Sequence, residues 1–285
     1  MNRTEQTAKA EAFRAMHDRS RILVLPNAWD AASALIFEEA GFKAIATTSS
    51  GVANALGYPD GQIIPRSEML FMIGVVTRSV RVPVTADIEA GYAADLATLA
   101  ETIELVIDAG AIGINLEDSM INRGAPIIEL ETAVARVRAA REAAQAAGVP
   151  IVINARTDVY LHGIGAREAR FEDAIRRANA YRAAGADSLF VPGVRDAAVI
   201  GKLAAALSGP MNILAGPGSP SVSELEKLGV ARVSVGGGPA RAAITTTRKV
   251  AKELLEHGTY NSFVDGVISH PEANALMTRN RPTPA

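Results

Sequence analysis

The sequence contains no cysteine among its 285 residues. This absence excludes disulfide bonds, thiolate zinc sites, iron–sulfur clusters and a cysteine nucleophile. The sequence also lacks a large excess of either charge, because 29 Lys and Arg nearly balance 31 Asp and Glu, for a net charge of −2. Such a balance offers no electrostatic footprint for nucleic acid or for an anionic membrane surface. We therefore expect a small-molecule partner, and neither a nucleic acid nor a membrane.

Long apolar runs and aromatic residues are scarce as well. No run of 18 uncharged apolar residues occurs, and the first residues lack the apolar core of a signal peptide. We therefore expect a cytoplasmic protein. Apolar residues make up 48% of the chain although aromatic residues make up only 5%, so Ala, Val, Ile and Leu dominate. This mixture is typical of buried parallel strands covered by alanine-rich helices.

One local pattern recurs along the chain: a helical stretch ends in glycine, and a short β-branched run follows at once. Glycine closes the helix in the left-handed conformation, and the apolar run after it predicts a strand buried on both faces. The pattern occurs at Gly41, Gly110, Gly185 and Gly229. Two related runs contain Pro83 and Pro150, and apolar runs at 22–25 and 211–214 complete a set of eight predicted strands.

Strands and helices alternate through most of the chain, which is typical of a parallel α/β fold. Eight units favour a closed (β/α)8 TIM-type barrel. A doubly wound open sheet is the alternative, but no Gly-x-Gly-x-x-Gly follows the first strand. We assign residues 1–245 to the barrel and residues 246–285 to a C-terminal helical extension of the same domain. This extension is expected to pack on the barrel or on a neighbouring subunit.

Carboxylates cluster at the carboxyl ends of the predicted strands, where the active sites of such barrels lie. Asp87 and Glu89 are two residues apart on an extended segment and share one face, and Glu117 follows the next strand. Three carboxylates without His or Cys favour Mg²⁺ or Mn²⁺ over Zn²⁺. Arg156, one strand further on, offers a planar fork for a substrate carboxylate. A single carboxylate there more often caps a helix, but three on successive strands favour a metal site.

Two turns are rich in small residues. The hydroxyls and backbone N–H groups of residues 47–51 suit an anionic oxygen, although an ordinary turn between strand and helix has the same composition. The three glycines Gly236–Gly238 either bind phosphate or let the last helix approach the barrel closely. Surface positions are expected for the four histidines, which are His17, His162, His257 and His270.

Five short segments follow one another in a fixed order. They are AGFKAI at 40–45, SGVANALGYPD at 50–60, ADIEAGY at 86–92, LED at 116–118 and ARTD at 155–158. In order and spacing they resemble the isocitrate lyase/phosphoenolpyruvate mutase superfamily. The resemblance implies a (β/α)8 barrel, a homotetramer that is a dimer of dimers exchanging a C-terminal helix, and a Mg²⁺-bound 2-oxo acid or its enolate.

The same resemblance implies roles for individual residues. Asp87 matches the residue nearest the metal, and Glu89 and Glu117 match the residues that hold its waters. Arg156 matches the substrate-binding arginine, and Asp60 matches the acidic residue of a mobile loop near the reacting centre, so both are expected to be catalytic. The loop that holds the substrate carboxylate or phosphonate corresponds to Thr48, Ser49, Ser50 and Gly51.

The segment after Glu117 departs from the superfamily pattern. Isocitrate-type lyases carry Lys-(Lys/Arg)-Cys-Gly-His there, and the Cys supplies a proton to the departing enolate. This chain has SMINRGAP at 119–126 instead. Only Arg123 supplies positive charge in that segment, and we expect it to be catalytic. Gly193 and Gly216 also replace a Glu and an Asn of the lyases, so the pocket walls differ.

The leading hypothesis is a Mg²⁺-dependent carbon–carbon lyase or decarboxylase that acts on an oxaloacetate-like or 2-methylisocitrate-like acid through a metal-bound enolate. Decarboxylation is favoured because it does not require the missing cysteine acid. One alternative is a carbon–phosphorus bond hydrolase or mutase, and another is a non-catalytic 2-oxo acid binding protein. A third is a phosphate-dependent enzyme that uses Gly236–Gly238 without a metal.

Overall fold

The computed structural model describes residues 2–120, 126–263 and 266–280. Within these ranges, nine parallel strands form a nearly closed barrel that is surrounded by helices. The strands are β1 (Leu23–Leu25), β2 (Asn27–Ala28), β3 (Ile45–Thr47), β4 (Val84–Asp87), β5 (Gly113–Glu117), β6 (Val152–Arg156), β7 (Ser188–Phe190), β8 (Met211–Leu214) and β9 (Arg232–Ser234). The helices are α1 (Arg3–Ala15), α2 (Ala31–Glu39), α3 (Ser49–Ala55), α4 (Arg66–Ser79), α5 (Leu96–Asp108), α6 (Leu130–Ala146), α7 (Arg170–Ala183), α8 (Ala197–Ala206), α9 (Val222–Lys227), α10 (Gly238–His257) and α11 (His270–Thr278).

The barrel closes through a single strand that Pro26 divides into two pieces. β1 pairs with β9, with Leu23 opposite Arg232, and β2 pairs with β3, with Asn27 opposite Ala46. Proline has no N–H to contribute to a ladder, so the strand breaks there. The sheet order β1-β9-β8-β7-β6-β5-β4-β3-β2 therefore carries the two halves of one strand at its two ends. This order confirms the predicted (β/α)8 TIM-type barrel and excludes the open doubly wound sheet.

The apolar core lies between the outer face of the barrel and the helices. Ile114 and Ile153 stand opposite each other on β5 and β6 and are fully buried. Helix α5 adds Leu99, Ile103 and Val106 to the same cluster, since residues spaced by three and four share one helix face. Each such side chain contributes about 2 kcal/mol of burial free energy. The helices are thereby held against the barrel, and the strand ends are left to carry polar groups.

Glycine ends the predicted helices as expected, but two helices are not evident in the sequence. Gly110 and Gly185 adopt φ angles of 94° and 111° directly after α5 and α7. Helix α1 is mostly polar, with Ala10 and Phe13 on its buried face, and starts at a capping box, in which the Asn2 side chain accepts a hydrogen bond from the Glu5 N–H. Helix α3 occupies much of the small-residue segment that was interpreted as a turn.

Helix α1 covers the amino end of the barrel and buries His17, so the expected surface position of this residue is wrong. His17 is only 7% exposed. Its Nδ1 donates to the Phe13 carbonyl oxygen at 2.9 Å, which leaves Nε2 as the acceptor for Arg232 Nη1 at 3.5 Å. Burial and then the charge of Arg232 lower the pKa of His17 to about 4.

This buried histidine predicts an acid-sensitive fold. Above its ordinary pKa of 6.5 His17 is neutral in both the folded and the unfolded chain, so no penalty arises. As the pH falls from 6.5 towards 4, His17 becomes protonated in the unfolded chain but stays neutral in the folded chain. We expect His17 to remove about 3 kcal/mol of unfolding free energy by the lower end of that window. Denaturant titrations at several pH values should show a smaller decline for His17→Gln, and equal declines would contradict this account.

The C-terminal helices extend beyond the barrel. Helix α10 runs through residue 245, so the division between barrel and extension falls inside a helix and stays a prediction. Helix α11 packs on α2 of the same chain, where Leu276 joins a buried cluster with Leu35 and Arg279 pairs with Glu39 at 3.2 Å. Helix exchange, the homotetramer and the cytoplasmic location remain predictions. No helix in the described ranges is long and apolar enough to cross a membrane.

Candidate active site

Two adjoining pockets open at the carboxyl ends of the barrel strands. The acidic pocket, of about 260 Å³, is lined by Ser49, Asp60, Gly61, Gln62, Glu89, Ala90, Glu117, Ser119, Met120, Arg156, Leu161 and His162. The central pocket, of about 660 Å³, reaches into the barrel, and its polar lining includes Thr48, Ser50, Asp87, Asn154, Arg195, Arg232 and Arg241. Ser49, Asp60, Arg156 and Leu161 line both pockets. Most of the predicted site residues therefore meet at one end of the barrel.

Asp87 ends β4 and is fixed by several donors. Its Oδ2 accepts hydrogen bonds from the N–H and the hydroxyl of Ser49 at 2.9 and 2.8 Å. Its Oδ1 accepts from Asn115 Nδ2 at 2.9 Å, and Asn115 Oδ1 in turn accepts from Asn154 Nδ2 at 3.1 Å. The backbone N–H of Asp87 donates to Thr47 Oγ1 at 2.9 Å. This network holds one carboxylate in a defined orientation at the edge of the central pocket.

Glu89 lies on a turn with an unusual backbone. On this turn, Glu89 and Tyr92 have φ angles of 50° and 52°, and Gln62, on the segment before α4, has a φ angle of 60°. This left-handed region costs a non-glycine residue about 1 kcal/mol or more. The Tyr92 hydroxyl donates to Glu89 Oε1 at 2.9 Å, and Gln62 Oε1 accepts from the Tyr92 N–H at 3.1 Å. Burial and then the charge of Asp87 raise the pKa of Glu89 to about 7. The turn therefore holds a carboxyl group that titrates near neutral pH.

Arg156 ends β6 between two carboxylates. Its Nε and Nη2 donate to the two oxygens of Asp158 at 2.6 and 3.0 Å, and its Nη1 lies 2.7 Å from Glu117 Oε2. Burial lowers the pKa of Arg156, but the charges of Asp158 and Glu117 outweigh burial and raise it overall. Burial raises the pKa of Glu117 well above its ordinary value, because the charge of Arg156, which lowers it, does not offset burial. Glu117 is thus incompletely compensated by Arg156.

Asp60 lies on the segment between α3 and α4 and borders both pockets. Desolvation in the pocket and then the charge of Asp87 raise its pKa. Four carboxyl groups, those of Asp60, Asp87, Glu89 and Glu117, therefore line the two adjoining pockets. Arg156 contacts Glu117 directly, and the charges of Arg156 and Arg241 both act on Asp60.

The hydroxyl segment differs in detail from its predicted role. Thr48 Oγ1 and Ser50 Oγ are 3.1 Å apart and line the central pocket, but the N–H and hydroxyl of Ser49 are engaged by Asp87. Gly51 borders neither pocket. A Cβ on Gly51 would come within 2.6 Å of Thr48 Cγ2 and 2.9 Å of Trp29 Cβ, so glycine there permits close packing. The predicted catalytic Arg123 lies outside the described residues.

Four basic residues that the sequence analysis did not assign to the site line the pockets. Arg195 and Arg241 follow β7 and β9 and border the central pocket, and Arg232 lies deeper in the barrel wall. The expected surface position of His162 is wrong, since its side chain is 23% exposed and borders the acidic pocket. Arg195 could have been predicted as a site residue from the sequence, because it lies close to a predicted strand end. His162 also lies in the loop after a predicted strand, but whether it reaches the pocket depends on how the turn after β6 folds back.

The carboxylates suit a hard cation. In the parts of the chain that the structure describes, no three His, Asp or Glu side chains are grouped so as to enclose a metal ion. Mg²⁺, however, keeps several waters and binds through only one or two carboxylates, so a loose cluster is compatible with it. The raised pKa values of Glu89 and Glu117 reflect burial and mutual repulsion, which a cation among the carboxylates would relieve.

Comparison with known proteins assigns the chain to a family. The profile of the phosphoenolpyruvate phosphomutase family matches residues 13–255. The chain belongs to the phosphoenolpyruvate mutase/isocitrate lyase superfamily. This is a superfamily of lyases and mutases, which indicates an enzyme of that type.

Members of the superfamily resemble the chain over most of its length. The 2-methylisocitrate lyase of Escherichia coli K12 is 30% identical over 90% of this chain and 87% of its own. The oxaloacetate decarboxylase of Pseudomonas paraeruginosa is 31% identical over 89% of this chain and 88% of its own. A crystal structure from Burkholderia cenocepacia J2315, described as a lyase/mutase, is 40% identical with a TM-score of 0.88 over 95% and 96% of the two chains. The structure of a phosphonopyruvate hydrolase with oxalate and Mg²⁺ shares the fold, at 24% identity, with a TM-score of 0.84 over 96% of each chain.

Proposed function

We propose that the chain is a Mg²⁺-dependent carbon–carbon lyase of the decarboxylase type that acts on a 2-oxo acid. The observation that carries the proposal is the meeting of Asp87, Glu117 and Arg156 at the ends of three neighbouring strands, with Glu89 beside them. Carboxylates suit the cation, and a guanidinium suits the substrate carboxylate. Relatives named 2-methylisocitrate lyase and oxaloacetate decarboxylase support this reaction class.

Each residue has a chemical task in this proposal. Asp87 would hold Mg²⁺, and Glu89 and Glu117 would accept hydrogen bonds from the waters around it. The ion would supply positive charge that stabilises the negative charge developing on the 2-oxo acid as the carbon–carbon bond breaks. Ser49 keeps Asp87 oriented through two hydrogen bonds, so that little reorganisation is needed during the reaction. Arg156 borders both pockets and would bind the substrate carboxylate.

The size and charge of the central pocket favour an oxaloacetate-like substrate, with two carboxylates, over a substrate with one. Its volume of about 660 Å³ exceeds what the reacting carbons need. Arg195 and Arg241 border it and would attract a second anionic group. The hydroxyls of Thr48 and Ser50 supply further donors at its edge. A dicarboxylic 2-oxo acid matches both charged regions.

Removal of the metal tests the proposal. Pyruvate release from oxaloacetate is expected with Mg²⁺, to stop on addition of EDTA, and to return with excess Mg²⁺ or Mn²⁺. Calorimetry with oxalate is expected to show binding only when the divalent ion is present. Turnover that survives EDTA would contradict the proposal and favour a phosphate-dependent enzyme. Oxalate binding without turnover of any 2-oxo acid would identify a binding protein.

A carbon–phosphorus hydrolase is the second candidate. The turn at Gly236–Gly238 precedes α10, and Arg241 follows within the first turn of that helix. Backbone N–H groups, a helix amino terminus and a guanidinium suit a phosphonate as well as a carboxylate. Phosphate release from phosphonopyruvate, measured beside pyruvate release from oxaloacetate, separates the two candidates.

A further inference from the structure

His162 borders the acidic pocket, where the proposed function has given it no task. It lies in the turn that follows β6, and its side chain is 23% exposed. It shares the pocket with Asp60, Glu89, Glu117 and Arg156. An imidazole in that position can exchange protons with a molecule bound among these groups.

A buried carboxylate orients the ring. His162 Nε2 lies 3.5 Å from Asp158 Oδ2, and the Asp158 side chain is fully buried. Asp158 is fixed in turn by the two hydrogen bonds from Arg156 and by Asp118 Oδ1, which accepts from the Asp158 N–H at 2.9 Å. The other ring nitrogen, Nδ1, makes no hydrogen bond with any described residue. A carboxylate on one ring nitrogen fixes the orientation of the ring and leaves the other nitrogen for proton transfer.

The proposed reaction needs such a group. Cleavage beside a 2-oxo acid leaves an enolate carbon that must receive a proton, and the chain contains no cysteine. Tyr92 donates to Glu89, and Arg156 contacts Glu117, so one oxygen of each carboxyl group is engaged, and the proposed function assigns both groups to the waters around the cation. Arg156 is too weak an acid to give up a proton. Histidine changes charge near neutral pH and is the most frequent general acid in proteins.

We propose that His162, oriented by Asp158, is the catalytic acid that protonates the enolate carbon. This inference rests on the proposed function. In decarboxylation the carbon–carbon bond breaks, carbon dioxide leaves, and the electron pair stays on the substrate as the enolate of pyruvate. The enolate carbon then takes the proton from Nδ1 of the imidazolium, which forms the methyl group of pyruvate. Neutral His162 regains a proton from water, and in the reverse direction it removes one from that methyl group.

Exchange of the pyruvate methyl protons for deuterium measures this step without bond cleavage. In D₂O with Mg²⁺, proton NMR is expected to show exchange catalysed by the unaltered protein. His162→Gln keeps an amide donor near the position of Nε2, so the contact with Asp158 is retained while the acid is lost. The exchange rate is expected to fall on the order of 10²–10⁴-fold, with unchanged oxalate affinity. His257→Gln, the same change at an exposed end of α10, is expected to leave both unchanged.

Further outcomes separate a catalytic from a structural role. Added imidazole is expected to restore part of the exchange rate in His162→Ala. If oxalate affinity and exchange fall together in His162→Gln and imidazole restores nothing, the residue is structural and the inference is overturned. Exchange at the unaltered rate in His162→Gln also overturns it, while the lyase proposal stands. If the unaltered protein neither exchanges pyruvate protons nor turns over oxaloacetate, the proposed function fails, and this inference fails with it.

Discussion

Asp87→Asn is expected to lower kcat/KM for a 2-oxo acid by about 10³-fold or more and to abolish Mg²⁺-dependent oxalate binding, since a bound cation contributes several kcal/mol to such a reaction. The change keeps the size of the side chain and removes only its charge. Ser49 still finds an oxygen acceptor there, whereas the amide presents hydrogens towards Asn115 unless that side chain flips. The cation therefore loses its principal anionic partner while the surrounding packing is retained.

The folded protein should tolerate this change. The charge of Asp87 raises the pKa of Asp60 and Glu89, but it also raises the pKa of the buried Arg156 and Arg232, so its removal relieves repulsion and loses attraction together. Thermal unfolding of Asp87→Asn is therefore expected close to the temperature of the unaltered protein. Asp108→Asn, a matched change at an exposed end of α5, should leave turnover and oxalate binding unaltered. Oxalate affinity in Asp87→Asn equal to that of the unaltered protein would contradict the metal site.

Asp118→Ala is expected to remove about 3–5 kcal/mol of the unfolding free energy, because it leaves buried partners without their acceptor. Asp118 is 2% exposed and accepts from the Tyr181 hydroxyl at 2.6 Å, the Asp158 N–H at 2.9 Å and Arg177 Nη1 at 3.4 Å. Arg177 is itself only 5% exposed, so water cannot solvate its charge once Asp118 is removed. Loss of the bond to Asp158 also loosens the carboxylate that holds Arg156, so turnover should fall as well.

A neighbouring residue supplies the comparison for this prediction. Asp173 Oδ2 lies 3.3 Å from Arg177 Nε, but the Asp173 side chain is 25% exposed. Asp173→Ala should therefore cost less than about 1 kcal/mol, as for most surface ion pairs. Denaturant titration of both variants measures the difference. A loss in Asp118→Ala no greater than that in Asp173→Ala would show that the buried network contributes little.

The barrel was predictable because its signals are local. Most of the predicted strands are short apolar runs beside a glycine or proline, and left-handed glycines such as Gly110 fix where a helix stops. The meeting of Asp87, Glu117 and Arg156 was predictable because parallel strands place their carboxyl ends on one side. Their roles stay predictions, but their proximity follows from topology alone.

Other features depend on contacts between distant segments. Ser49 was expected to present its N–H to a substrate, yet that N–H donates to Asp87, which lies on another strand. His17 is buried because α1 folds across the barrel floor against Arg232, more than two hundred residues away. His162 reaches the pocket through a turn whose sequence has no helical or strand periodicity. The spacing of residues along the sequence does not predict these contacts, because the partners are far apart in the chain.

The break at Pro26 separates two events in the folding of the barrel. The piece β2 pairs with β3, which follows it closely along the chain, so this contact can form early and at a small entropic cost. The piece β1 pairs only with β9, near the end of the barrel sequence, and must wait until almost the whole chain is available. During synthesis on the ribosome the first strand is therefore half paired for most of elongation. Until β9 emerges, the unpaired half presents backbone N–H and C=O groups that can pair with a strand of another chain.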